Sequence, residues 1–234
     1  MNTRSGALVL LVAVVAALAP ATATATPVTV NVRIEGIRTT LFDGKVTTDV
    51  HPVDSGDGSG AHKCDGTNGG ANPTPGPTLL GALDTAVHKA GTTWQGDYFA
   101  DFEDFGINRV GPDSSDTKNN RYWGQVLNHK DTQVGGCQQR IVAGDEVLVA
   151  FNSFGHPKLR LTAPAQATVG KPVTLTVVDG ETGKPFAGAL VRSKTTGPQG
   201  HVRVTFSKAG VRRFKARAKD AIRSNQARVQ VHAG

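Results

Sequence analysis

Val28-Thr29-Val30-Asn31-Val32-Arg33-Ile34 sets four β-branched apolar residues at alternate positions with polar residues between them. A period of two sends the three valines and Ile34 to one face of an extended chain and Thr29, Asn31 and Arg33 to the other. That is the pattern of a half-buried strand. Gly36 interrupts it, and a second strand is expected over residues 39–50, with Asp43-Gly44 as a candidate hairpin turn. Residues 51–77 hold Gly58, Gly60, Gly66, Gly69 and Gly70 with Pro73, Pro75 and Pro77, too many breakers for a long regular element. Thr78 then offers an N-cap, and Leu79, Leu80, Leu83, Ala86, Val87 and Ala90 recur at helical spacing until Gly91 ends the run. Residues 107–110 and 146–151 read as further strands.

On the N-terminal side, Arg4 precedes the apolar run ALVLLVAVVAALA at residues 7–19. Thirteen residues suit the core of a signal peptide and fall short of the ~18–20 that a bilayer span needs. Ala21-Thr22-Ala23 and Ala23-Thr24-Ala25 follow in cleavage register, so residues 1–25 are expected to be removed on export. No hydrophobic tail or sorting signal stands at the C-terminus, and the mature chain is expected to be soluble or held to a surface noncovalently.

Charge divides the remainder. Residues 26–153 carry 10 Lys/Arg against 16 Asp/Glu, a net of −6, whereas residues 154–234 carry 15 against 3, a net of +12. Two domains are therefore expected, 26–153 and 158–234, with residues 154–157 (Phe-Gly-His-Pro) as the linker. The basic half reads as short strands at 158–162, 173–179, 189–193, 201–206, 211–218 and 227–232 separated by turns, the spacing of a β-sandwich. The chain has 2 cysteines, Cys64 and Cys137. In an exported protein an even count favours a disulfide, which closes a long loop and is worth roughly 4 kcal/mol on the chain-entropy model; two free thiols are the alternative.

The order of residues 28–34, Thr78-Leu79-Leu80-Gly81-Ala82-Leu83, Tyr122-Trp123…Asn128 and Ala143-Gly144-Asp145-Glu146-Val147 resembles an extracellular domain of unknown function related to the transcobalamin C-terminal domain. The resemblance implies an α+β, β-grasp-like domain with one main helix on a small mixed sheet. The carriers' cobalamin does not transfer, because the helical barrel that holds it has no counterpart here. Gly188-Ala189-Leu190-Val191, residues 200–206, Ala209-Gly210-Val211 and Arg223-Ser224-Asn225 resemble bacterial immunoglobulin-like modules, which implies an all-β sandwich for the second half and specifies no partner.

Three constellations bear on function. On residues 211–218, read as one strand, Arg213, Lys215, Arg217 and Lys219 share a face, with Arg203 and Arg228 on flanking strands. Such a face suits an anionic cell-wall polymer or a membrane surface; a solvated sheet edge, or docking on the acidic half, reads the same residues differently. The acidic aromatic segment Asp97, Asp101, Glu103, Asp104 has carboxylates for acid–base or calcium chemistry, but no calcium-loop spacing, and Phe99, Phe102 and Phe105 are expected to pack inward while the acids stay wet. Tyr122 and Trp123 are candidates for stacking on sugars, with core packing as the competing reading.

Nucleophile elbows, His-Glu-x-x-His and phosphate loops do not occur, so no catalytic residue, metal or cofactor is assigned. Export argues against nucleic acid as a partner. The expectation is a secreted, non-enzymatic binding or envelope-associated protein, the ligand of its first domain unassigned. A hydrolase using residues 97–104 and a structural subunit of a surface assembly are the alternatives.

Overall fold

The computed structural model describes residues 25–234; the expected signal peptide lies outside the described residues except for Ala25. Strands take 44% of the described residues and helical segments 10%. The predicted α+β class is therefore corrected: the chain is mostly β, built from several small sheets, and fits an all-β fold. One helix of more than a single turn, Leu79–Lys89, forms among the described residues. Elsewhere the described residues form strands and single 3-10 turns, and the segment dense in glycine and proline holds only two-residue strands and one such turn.

The opening strand, Val28–Glu35, lies second in a five-stranded sheet ordered Thr40–Thr48, Val28–Glu35, Glu146–Phe151, Trp123–Leu127, Lys130–Asp131. It pairs antiparallel with Thr40–Thr48 and parallel with Glu146–Phe151. The expected turn at Asp43-Gly44 does not form. Those residues pair straight across from Arg33 and Val32 inside a continuous strand.

The helix covers one face of this sheet. Thr78 caps it, its Oγ1 accepting from the Gly81 amide at 3.1 Å, and Gly91 follows its end at φ 67°. Leu79, Leu80, Leu83, Ala86 and Val87 meet Val30, Val32, Ile34, Val147, Val149 and Phe151 in one buried core. The hairpin Trp94–Phe99/Asp104–Val110 closes the side of that core. Cys64 and Cys137 are joined in a disulfide with Cα atoms 4.5 Å apart. It anchors the glycine-rich segment, in which the Arg140 side chain runs where any Cβ on Gly76 would sit, 2.3 Å from Nη2.

Residues 158–234 build a second core around Leu159, Leu161, Leu175, Val177, Val204, Phe206, Val229 and Val231. Their strands form three three-stranded sheets. Residues 211–218 are not one strand: Gly210–Phe214 pairs with Ala227–His232, whereas Ala216–Arg217 pairs with Leu190–Val191 in another sheet. The break falls at Lys215. Two hydrogen bonds enforce it, from the Ala216 amide to Ser224 Oγ at 2.8 Å and from the Ser224 amide to the Ala216 carbonyl at 3.0 Å.

The second face of the five-stranded sheet is also covered. Val126, Leu148 and Ala150 pack against Ile222 of the basic half. Beside them Glu35, 2% exposed, accepts from Lys215 Nζ at 2.7 Å, from Arg223 Nε at 2.7 Å and from Thr40 Oγ1 at 2.9 Å. Lys215 also pairs with Asp43 at 2.7 Å, and Arg33 approaches Glu35 at 3.5 Å while donating to the Arg223 carbonyl. Further along, Lys158 Nζ meets Asp131 at 2.6 Å. Two segments of opposite net charge thus meet through buried, complementary pairs.

Removing one member of a buried ion cluster leaves the others uncompensated, which costs roughly 3–5 kcal/mol. Glu35→Gln is expected to lower the unfolding free energy by about that amount in urea titrations of the oxidised chain. A loss below about 1 kcal/mol, the range of exposed pairs, would show that the cluster is not holding the halves together.

Candidate functional site

The six cations expected on one basic face are divided by the break at Lys215. Arg213 and Arg228 remain paired, directly opposite each other across two strands and both exposed. Arg203 lies in a different sheet, beside Lys194, whose Nζ donates to the Arg203 carbonyl at 3.0 Å. Lys215 is half-buried against Glu35 and Asp43, the docking role that its charge also allowed. Arg217 and Lys219 turn into a cleft between the two halves.

This cleft has a volume of about 530 Å³. Arg38 and Arg121 line it from the first half, Arg217 and Lys219 from the second. Among the described residues none of these four side chains makes an ion pair or a hydrogen bond; Arg121 instead lies over the Phe151 ring, 4.8 Å from its centroid. The wall is fixed by His156, whose ring nitrogens contact the Asp220 carbonyl at 3.0 Å and Asn152 Nδ2 at 3.1 Å. Glu35 and Asp220 also line the cleft; Lys215 and Arg223 neutralise Glu35, and Asp220 offsets one of the four cations, which leaves the cleft with a net positive charge. Unpaired like charges raise a positive potential that an anion relieves, and guanidinium forks suit carboxylate or phosphate oxygens.

The acidic segment departs from expectation in both its acids and its rings. Asp97, Asp101 and Glu103 are exposed, whereas Asp104 is buried and accepts from the amides of Phe105 at 2.8 Å, Cys137 at 3.0 Å and Gln138 at 3.2 Å. Burial pushes its carboxyl above the ordinary aspartate value, against the pull of those donors. Its work is to pin the disulfide turn to the hairpin, and Gly135 is needed there because a Cβ would fall 2.2 Å from Asp104 Oδ2. Only Phe105 of the three phenylalanines packs inward; Phe99 is 49% and Phe102 68% exposed. Trp123 is buried, its indole donating to the Asp113 carbonyl at 3.3 Å, while its neighbour Tyr122 is exposed.

Sequence reading missed Arg38, Arg121 and Glu35. The outward phase of the first strand, Arg33 then Glu35, was a usable signal, since it puts opposite charges on the face taken here as solvated. It also missed Asp84, which accepts from Trp94 Nε1 at 2.9 Å and lies 3.4 Å from both His51 Nε2 and His88 Nδ1. The hydrogen bond to Asp84 raises the His51 pKa above its ordinary value, outweighing desolvation. Among the described residues no group of three or more His, Cys, Asp or Glu is placed to hold a metal ion, and no helix is long and apolar enough to cross a membrane. Compared with known proteins, the chain matches no family model, no curated protein and no solved structure, so nothing there identifies a transcobalamin-like or immunoglobulin-like domain.

Asp104→Ala strips partners from three backbone donors and is expected to cost roughly 3 kcal/mol in urea unfolding. Because the folded value of His51 is raised, its contribution is full below the unfolded value of about 6.5 and fades as pH rises through the folded one. The stability gap between the parent chain and His51→Gln should therefore shrink from about pH 6 to pH 9 in thermal melts. A gap that widens contradicts the assignment.

Proposed function

We propose that this is an exported, non-enzymatic binding or envelope-associated protein that takes an anionic group into the cleft between its halves. The observation that carries the reading is the convergence of Arg38, Arg121, Arg217 and Lys219, unpaired, on one cavity. Export rests on the leader pattern of residues 1–25, and the disulfide agrees with an oxidising compartment. The cleft volume falls within the ~300–1,000 Å³ of ligand sites, which admits a few repeat units of a chain rather than a flat polymer surface. The anion contact thus moves from an open sheet face to a concave site, and Arg213 and Arg228 become bystanders.

The ligand class is a phosphodiester- or carboxylate-bearing envelope polymer. A short glycerol-phosphate oligomer is the probe, with oligoglutamate as the carboxylate comparison, titrated by calorimetry across a salt series. Binding should weaken as salt rises. Arg217→Glu with Lys219→Glu should reduce affinity by about tenfold or more, equivalent to ~1.4 kcal/mol, while Arg213→Glu with Arg228→Glu should leave it within about twofold. Absence of binding by both probes, or sensitivity confined to Arg213 and Arg228, overturns the reading.

A further inference from the structure

On the first half, away from the anion cleft, the hairpin Trp94–Phe99/Asp104–Val110 carries a feature that the packing of the fold does not require. Its tip, Ala100–Phe102, is a 3-10 turn closed by Glu103 in the left-handed region at φ 48°. A glutamate there is unusual, since that conformation favours Gly, Asn and Asp. The turn rotates Phe102 outward, so that Phe99 and Phe102 flank a shallow groove of about 480 Å³ whose other walls include Phe105, Val134, Gln133 and Gln138. The floor is rigid: Asp104 beneath it is bonded to the Cys137 and Gln138 amides next to the disulfide.

Two solvent-facing phenylalanines at one groove mark a binding surface more than a packing residue left over. The charges around them choose the occupant. Asp97, Asp101 and Glu103 are all exposed on the same hairpin, and among the described residues none of their carboxylates is paired with a cation. At the groove Gln138 Nε2 donates to the Phe102 carbonyl and Gln133 Nε2 to the Asp131 carbonyl at 3.4 Å. These three carboxylates do not line the groove itself but flank Phe99 and Phe102 in sequence on the exposed hairpin, and as ions they only accept. A partner must bring donors, preferably cationic ones, alongside an apolar side chain to lie between the rings.

We propose that this groove docks a basic peptide segment, one in which aliphatic or aromatic residues alternate with lysine or arginine. In an extended segment such alternation puts the apolar side chains on the phenylalanine side and the cations over the carboxylate rim. The chain as a whole carries a net charge of +7, so attraction of a basic peptide has to come from this local acidic surface and not from the overall field.

The probe is a fluorescent hexapeptide of alternating arginine and leucine, titrated by anisotropy against the full oxidised chain. Its glutamate–leucine counterpart and a chito-oligosaccharide are run beside it. The basic peptide should bind, and the acidic one and the sugar should not. Phe102→Ala and the pair Asp101→Asn with Glu103→Gln should each weaken binding by about tenfold, with thermal melts matching the parent chain. Arg217→Glu with Lys219→Glu, on the anion cleft, should leave the affinity unchanged. Equal binding of the two peptides, preference for the sugar, or indifference to Phe102→Ala overturns the proposal. So does self-association of the chain that competes with the peptide, which would make a second copy the occupant.

Discussion

A single carboxylate, Glu35, sits where the two halves of the molecule meet, with 2% of its surface left to solvent. Taking a carboxylate out of water costs several kcal/mol, and only well-placed opposite charges offset it. Lys215, Arg223 and Arg33 supply those charges from three directions, with the Thr40 hydroxyl completing the set. Because Lys215 and Arg223 belong to the basic half, the contact that takes Glu35 out of water also supplies its counter-charges. The apolar contact of Ile222 with Val126, Leu148 and Ala150 is small, so charge complementarity fixes the orientation that hydrophobic burial merely tolerates.

The same cluster shapes the cleft. Arg223 donates to the carbonyls of Gly36 at 2.6 Å and Thr39 at 2.8 Å, which holds the 36–39 turn, and Arg38 on it, against residues 217–223. The cations of the basic half are thereby sorted by partner. Lys215 and Arg223 satisfy the buried Glu35 and Lys158 pairs with the half-buried Asp131; Arg217 and Lys219 face an open cavity with Arg38 and Arg121; Arg213 and Arg228 stay on an exposed strand pair. These seven cations of the basic half thus fall into three groups with different surroundings, and only the middle one is concave.

What could be read from the sequence was local. Alternation over residues 28–34, the capped helix after Thr78 and the pairing of two cysteines each depend on neighbours in sequence or on an even count, and each is present in the fold. The α+β expectation failed because resemblance supplied it, whereas strands take 44% of the described residues and the one helix stands among several small sheets. The strand at 211–218 was misread because Phe214 and Ala216 keep perfect alternation through the break; the sheet change is imposed by Ser224, a tertiary partner with no trace in the local pattern. Phe102 was expected inside for a similar reason. Its direction is set by the left-handed Glu103, and nothing in the residue types announces it. Arg38 and Arg121 lie far apart in sequence, and only the finished fold makes them neighbours of one cavity.

The parallel pairing of Val28–Glu35 with Glu146–Phe151 has a consequence for the order of assembly. On its second edge Asn31 pairs with Glu146, so a chain emerging from its N-terminus cannot complete the central sheet until Glu146–Phe151 has appeared, and pairings this distant in sequence form slowly. Until then the opening strand has only Thr40–Thr48 beside it, and its other edge stays unpaired. Even once that sheet closes, its outer surface, with Val126, Leu148, Ala150 and Glu35, stays bare until Lys215 and Ile222 arrive at the far end of the chain. The first half of the molecule is therefore finished by residues of the second.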